Sequence, residues 1–424
     1  LGCKVNQYES EAIAELFAEK GYEVVSVDDE ADVYIINTCT VTNFGDKKSR
    51  QLIRKVKRQN ENAIVAVVGC YAQTAPEELA AVHGVNLVIG TKDKSKIVEL
   101  VEDYQAEQGV QNYVTDIMHE RVFEPLEIKK LANRTRAYLK IQDGCSQFCS
   151  YCIIPYARGP IRSRQPEDVI AEVKRLAENG FKEVVLTGIH VASYGKDLKT
   201  ITLTGIIRQV HEVEGIERIR FSSIEPNVVT EEFAAAMAEL PKVCDHFHLS
   251  LQSGCDKTLK EMNRKYDTEK YRQAAALLRK YLPDVAITTD IIVGFPGETE
   301  EDYQASRAFA EEIGFSKIHV FPYSPKKGTP AAARKDQLQN AVKQARSHDL
   351  ITVNDRMTDA FLQKHVGKVM PVLFERCIGD DVYEGHTTNY MKVHARSTKD
   401  LSNVIADTKI LSVAEEMAFG EVEA

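Results

Sequence analysis

The feature that most constrains this chain is an alternation of short apolar runs with longer amphipathic segments, several of them closed by glycine. Residues 10–20 place Ile13, Leu16 and Phe17 at helical spacing, and Gly21 stands where a helix C-cap belongs. Residues 33–36 and 63–68 are short strand-like runs, 46–58 is a basic helix pattern, Pro76 opens a further helix, and 85–89 is again strand-like. Such alternation predicts a parallel sheet with helices on its faces. It fades near residues 107–109, and residues 113–140 read as a connector into a new strand, 137–141. Helices 166–179, 203–214, 230–239, 267–281 and 299–313 then alternate with strands 183–187, 218–222, 246–251, 285–292 and 316–321. About six βα units in series predict a partial or full barrel, with its chemistry at the C-terminal ends of the strands. A long polar helix near 334–364 follows. Short strands at 368–375, 382–386, 390–395 and 403–413, set between Gly, Asp and Asn turns, predict a small β-barrel or sandwich. The predicted domains are 1–124, 125–365 and 366–424.

Composition narrows the partners. The chain has 424 residues, 43% hydrophobic and 28% charged, which excludes a disordered or collagen-like chain. No apolar run approaches the roughly 20 residues of a membrane span, and the first residues lack a signal-peptide pattern. A cytoplasmic protein is therefore expected, and the first residue, which is not Met, suggests a start inside the natural chain. Net charge is −9, unevenly spread: 13 Lys+Arg against 21 Asp+Glu in 1–124, 35 against 32 in 125–365, and 6 against 10 in 366–424. An RNA partner would have to use local patches.

Nine cysteines in such a chain favour metal binding or catalysis over disulfides. Cys145-x3-Cys149-x2-Cys152 directly follows the first barrel strand. Three thiolates within eight residues can wrap one compact [4Fe–4S] cube and leave one iron open for a substrate. A zinc knot is the alternative, but zinc would want a fourth nearby Cys or His, and none lies between Cys152 and the next strand. Cys39 and Cys70 each follow a predicted strand of the first sheet, and Cys3 would follow an earlier one. Strands of a parallel sheet end on one edge, so three thiols could converge there; taken bare, they could equally be three structural cysteines.

The Cys145 motif, on the loop after the first strand of a βα barrel, resembles that of the radical S-adenosylmethionine (SAM) superfamily. That resemblance implies that the open iron chelates SAM and that an electron from the cluster cleaves it to start hydrogen abstraction. Tyr151 matches the family's aromatic position beside the adenine. Gly188, Glu225, Gln252, Arg264 and Gly294, within or near strand-end runs, are the further implied cofactor contacts; turns there are often Gly- and Ser-rich without any ligand. Two cysteine trios together, the first in an α/β domain and the second in a barrel, resemble the methylthiotransferases over essentially the whole chain. That implies an N-terminal parallel α/β domain, a central partial (βα)6 radical SAM barrel and a C-terminal all-β barrel like the RNA-binding TRAM domain. It also implies two [4Fe–4S] clusters, held by Cys3, Cys39 and Cys70 and by Cys145, Cys149 and Cys152, with two SAM consumed per turnover. Cys244, Cys255 and Cys377 match neither trio and are read as structural.

Residues 1–10, 38–42 and 46–50, with Asp143 before Gly144-Cys145, resemble the bacterial subgroup that adds a methylthio group at C2 of N6-threonylcarbamoyladenosine, position 37 of tRNA. A ribosomal-protein aspartate methylthiotransferase and a non-catalytic iron–sulfur RNA-binding redox sensor are the alternatives. The implied partners are a tRNA anticodon stem-loop and a reductant such as flavodoxin or ferredoxin, with no membrane; the sulfur donor is open. The threonylcarbamoyl group carries a carboxylate, which calls for a positioned cation. Arg158, Arg162 and Arg164 are the candidates, either against the modified base and its phosphates or as solvated or SAM-linked arginines. Lys47, Lys48, Arg50, Arg54, Lys55, Lys57 and Arg58 form a basic helix that contacts phosphates or is simply solvated. Lys129, Lys130, Arg134 and Arg136 form a second patch, and Lys392, His394 and Arg396 a strip on the last domain. His246 and His248 are hydrogen-bonded core residues or a catalytic base.

Overall fold

A computed structural model describes residues 2–128 and 135–423. Strands Val33–Thr38, Ile64–Gly69, Leu87–Val88 and Gln111–Asn112 form a parallel sheet in that order. The last strand, two polar residues long, carries no apolar signal and was not anticipated. Register pairs Thr38 with Gly69, so the two strands end side by side and Cys39 and Cys70 leave the sheet at the same edge.

The first helix, Lys4–Glu19, begins six residues before the predicted start at residue 10. Its first turns hide polar residues, Asn6 and Glu9, which apolar periodicity cannot see. The helix serves two cores. Tyr8 and Ala12 pack into the core of the central barrel, whereas Ile13 and Phe17 pack under the first sheet.

Six parallel strands make the central barrel: Arg136–Asp143, Glu183–Gly188, Arg218–Phe221, His246–His248, Ala286–Val293 and Lys317–Pro322. A two-residue strand, Arg162–Ser163, runs antiparallel at one edge. Among the described residues no pairing joins the last strand to the first, so the barrel is partial. The trailing helix, Asn340–Gln363, starts later than predicted, after a short 3-10 turn at Ala331–Ala333 and a non-helical stretch over 334–339. It packs on strand Lys317–Pro322 and leads into the last unit.

That unit is a closed five-stranded barrel, ordered Val369–Gly379, Val382–Thr387, Lys392–Arg396, Met417–Val422, Val404–Ala414. Strand Met417–Val422, missing from the sequence-based expectation, closes it. Buried arginines bind it to the central barrel. Arg218 donates to the carbonyls of His386 and Pro371 at 2.8 Å each, and Arg220 to those of Thr387 and Thr388 at 2.6 and 2.7 Å. Tyr390 is stacked between His246 and His386, each 4.9 Å away, with Arg136 and Arg220 also against its ring. Among the described residues no helix is long and apolar enough to cross a membrane.

Candidate active site

The loop after strand Arg136–Asp143 carries Cys145, Cys149 and Cys152 around a tight path. Gly144 has φ +71°, and a Cβ there would lie 1.8 Å from the Pro160 carbonyl oxygen, so no other residue fits without backbone movement. Burial pushes the thiols of Cys145 and Cys152 up to about 11 and about 12. Donors already face the sulfurs: the backbone N–H of Gln147 to Cys145, that of Ile154 to Cys152, and Arg264 Nη1 to Cys149 at 3.2 Å. All nine cysteines are free. Among the described residues the one His/Cys/Asp/Glu group whose ligand atoms all lie within 4.8 Å of one another is His248, Asp290 and His319; neither cysteine trio is so tight. Sulfurs spread this way, and met by N–H donors, fit the corners of a multi-iron cluster better than one zinc ion.

Of the implied SAM contacts, Glu225, Arg264 and Tyr151 gather beside this loop. Arg264 Nη2 lies 2.9 Å from Glu225 Oε1, and its Nε donates to the Tyr266 hydroxyl at 2.9 Å. His190 Nε2 is 3.2 Å from the other Glu225 oxygen. Burial alone would raise the Glu225 pKa, but His190 and Arg264 outweigh it and hold the carboxyl below its usual range. Tyr151 packs with Met262, Phe295, Tyr323 and Ala331. Gly188 lies against Gln142, whose Oε1 accepts from the His190 N–H at 2.7 Å. Gln252 has φ +72° and bridges to the next strand through Asp290 O and Ile292 N. The crowding that keeps Gly294 small is internal: a Cβ there would stand 2.5 Å from Lys343 Cγ of the trailing helix.

Cys3, Cys39 and Cys70 converge. Cys3 is the N-cap of helix Lys4–Glu19. Gly2, beside it, is so close to Cys39 that a Cβ would lie 2.8 Å from the cysteine's own. Cys3 lies close enough to act electrostatically on Cys39, and both Cys3 and Cys39 act on Cys70. The Val41 N–H faces Cys39, and Arg158 Nε donates to Cys70 at 3.2 Å. Burial raises the Cys70 thiol to about 11.

Arg158, Arg162 and Arg164 are all buried, and the structure gives them internal partners in place of an open face for a nucleotide. Arg158, fully buried, reaches Glu9 at 2.5 and 3.1 Å and Asn6 at 2.8 Å. Arg162 donates to the Arg158 and Pro160 carbonyls and lies 3.7 Å from Asp143. Arg164 pairs with Glu172. Glu9 also accepts from Lys94 and Lys140, each at 2.9 Å, and Asp143 from Lys140 at 2.6 Å. Two carboxylates thus meet four buried cations: Lys94, Lys140, Arg158 and Arg162. Burial is costly for unpaired charge, and this positive surplus beside Cys70 suits a set of cluster thiolates. Sequence reasoning missed Glu9, because a lone acid on a polar helix start carries no signal of burial.

A cavity of about 950 Å³ opens where the three units meet. Cys3 and Lys4 line it from the first unit, Ser222, His246, His248 and Asp290 from the barrel, and Tyr390 and Lys392 from the last unit. His246 Nε2 and His248 Nδ1 both contact the Thr288 hydroxyl, at 3.1 and 3.0 Å. They are hydrogen-bonded, as the sequence reading allowed, but they also face the cavity.

The predicted basic helix is Asn43–Gln59. Lys47, Lys48, Arg54, Lys55 and Arg58 are exposed on it; Arg50 is held by Glu78 and Tyr71, and Lys57 bonds the Ala63 carbonyl. Of the connector patch, Lys129, Lys130 and Arg134 lie outside the described residues. Arg136 is internal, at 2.6 Å from both Glu183 and Glu375. On the last barrel Glu384 lies 3.3 Å from Lys392 and 3.2 Å from His394, and Arg396 is exposed.

A partial parallel barrel with a three-cysteine loop at its first strand end defines a radical SAM enzyme. A profile described as the Radical SAM superfamily matches residues 139–310, and one described as Uncharacterized protein family UPF0004 matches residues 1–90. The chain is 45% identical to the threonylcarbamoyladenosine tRNA methylthiotransferase MtaB of Bacillus subtilis (strain 168), over 97% of this chain and 92% of that protein. It is 39% identical to the protein of the same name from Aquifex aeolicus (strain VF5), over 96% and 97%. It is 37% identical to the tRNA-2-methylthio-N(6)-dimethylallyladenosine synthase of Thermoanaerobacter sp. (strain X514), over 99% and 91%. Among solved structures, the radical SAM methyltransferase TsrM from Kitasatospora setae, with cobalamin and a [4Fe-4S] cluster bound, superposes with a TM-score of 0.56 at 16% identity, over 77% and 74% of the two chains. At that identity the likeness speaks for the fold alone. The chain belongs to the radical SAM methylthiotransferase family.

Proposed function

We propose that this enzyme adds a methylthio group at C2 of N6-threonylcarbamoyladenosine at position 37 of tRNA, in the cytoplasm. The observation that carries the reading is the meeting of two cysteine trios across one short helix, Ile154–Arg158, which starts just after Cys152 and ends on the residue that touches Cys70. Cys145, Cys149 and Cys152 would hold one [4Fe–4S] cluster, and Cys3, Cys39 and Cys70 a second, each with one iron left open. When bound, the clusters and two SAM per turnover supply the hydrogen-abstracting species, the methyl group and the sulfur.

The chain's own residues do the rest. Arg264 and Glu225 form a buried charged pair beside the barrel trio, suited to the amino acid end of SAM; Tyr151, Gly188, Gln252 and Gly294 complete that side. Arg158, Arg162 and Arg164 position the two trios from within. The cavity between the three units is roomy enough for an extruded nucleoside, and the exposed cations of helix Asn43–Gln59 suit the phosphates of an anticodon stem. Division at 1–124, 125–365 and 366–424 is supported by a core at the first sheet, one in the barrel and one in the last unit, although Tyr8 and Ala12 belong to the barrel's core and Leu362 to that of the last unit. A flavodoxin- or ferredoxin-like protein would supply electrons. Likeness to the tRNA enzymes named above supports the substrate class.

The test is anaerobic reaction of the cluster-loaded protein with SAM, reductant and tRNA, followed by nucleoside mass spectrometry. A 2-methylthio product on threonylcarbamoyladenosine tRNA, and none on isopentenyladenosine tRNA, is expected. The reverse preference would overturn the reading.

A further inference from the structure

The cations that line the cavity are nearly all spent. Arg136 is paired with Glu183 and Glu375, Arg220 with Glu183, Lys317 with Glu416 and Lys392 with Glu384. Lys4 differs. Among the described residues its ammonium has no hydrogen bond or ion pair; it stands 5.9 Å from the centre of the Tyr138 ring, exposed to the cavity. Helix Lys4–Glu19 fixes its base, and Cys3 is its neighbour in the chain. Arg136 and Arg220 line the same cavity, as do the carboxylates of Asp290, which lies against His248, and Glu416, which is paired with Lys317. An unpaired ammonium in a cavity whose lining also includes Ser222 and Thr288 asks for a small anion that also carries polar groups.

We infer that Lys4 is the specificity-determining residue of the cavity, pairing with the carboxylate of the threonylcarbamoyl group while the adenine lies between the trios. The assignment rests on the substrate reading above and deepens it. An ammonium enclosed with an apolar isopentenyl group would lose water and gain nothing, so the same residue that attracts the acid rejects the hydrocarbon. The three arginines first suggested by the sequence cannot play this part, because Glu9, Asp143 and Glu172 already hold them.

The test compares binding of three anticodon stem-loop RNAs to the cluster-loaded protein: one with threonylcarbamoyladenosine, one with its methyl ester, one with plain adenosine. The wild type is expected to bind the acid about tenfold tighter than the ester, the scale of one hydrogen bond to a charged group. Lys4→Met and Lys4→Gln should bind acid and ester alike, and Lys4→Arg should restore the preference. Iron content and visible absorption identify variants that still hold their clusters, and the comparison is made on those. A tenfold preference that survives in Lys4→Met or Lys4→Gln would overturn the role of Lys4 and leave the substrate reading intact. Equal binding of all three RNAs by the wild type would overturn both.

Discussion

Arg158, at the end of the helix that follows the barrel trio, donates its Nε–H to the sulfur of Cys70 in the neighbouring unit, at 3.2 Å. The segment that follows the barrel trio thereby reaches a sulfur of the other trio, and the remaining guanidinium nitrogens of Arg158 reach Glu9 and Asn6 on helix Lys4–Glu19. The relationship gives the spacing between the trios a mechanical cause. The helix between Cys152 and Arg158 sets the distance, and a fully buried ion pair locks it.

Replacing Arg158 with Gln should therefore do two things. Glu9 and Asp143 lose a buried partner, at a cost on the order of 3–5 kcal/mol, visible in denaturant unfolding. A cluster held by Cys70 would lose a donor and a positive charge, so its reduction potential should fall, visible in a redox titration followed by electron paramagnetic resonance. A change in stability with no change in potential would confine Arg158 to a structural role.

Glu9 should make the protein sensitive to acid in a defined direction. Burial alone would raise its pKa, but Arg158, Lys140 and Lys94 outweigh burial and hold the folded carboxyl well below its usual range. A depressed carboxyl contributes its full stability above the unfolded value of about 4.3 and loses it as pH falls toward the folded value. Glu9→Gln, which leaves three cations facing a neutral amide, should cost about 3–5 kcal/mol at pH 7. The difference from wild type should be constant between pH 7 and 5 and shrink below about pH 4, measured by urea unfolding.

Much of this was legible in the sequence, for a physical reason. Strand–helix alternation and the Cys145 motif are local patterns, and a parallel sheet puts Cys39 and Cys70 on one edge whatever the details. The sequence offers Arg158, Arg162 and Arg164 as contacts to the modified base or its phosphates, or as solvated or SAM-linked arginines, because their partners Glu9 and Glu172 sit on other elements and nothing local marks a charge as buried. The polar start of helix Lys4–Glu19 hid both that helix's true beginning and the unpaired Lys4. Strand Met417–Val422 was overlooked next to Glu415-Glu416, a turn with two left-handed residues.

Glu225 is held between Arg264 and His190 beside the barrel trio. Glu225→Gln removes the charge and keeps the shape. The dissociation constant for SAM should rise about tenfold, the loss of one charged hydrogen bond, while iron content stays the same. Calorimetry on the anaerobic protein measures it; an unchanged constant would remove Glu225 from the cofactor site.

Tyr390 joins the last barrel to the central one, stacked between two histidines with two guanidiniums over its ring. Each aromatic or cation contact is worth about 0.5–1.5 kcal/mol, so Tyr390→Ala should cost about 2 kcal/mol or more. Limited proteolysis should then cut between helix Asn340–Gln363 and strand Val369–Gly379 sooner than in wild type.

The most direct measurement of the central claim uses the variant Cys3→Ala, Cys39→Ala, Cys70→Ala. Two cubane clusters hold about eight irons and one holds about four. The triple variant should keep about half the iron of wild type, still cleave SAM on reduction, and form no 2-methylthio nucleoside on tRNA. Full iron content in that variant, or methylthio product from it, would contradict the account.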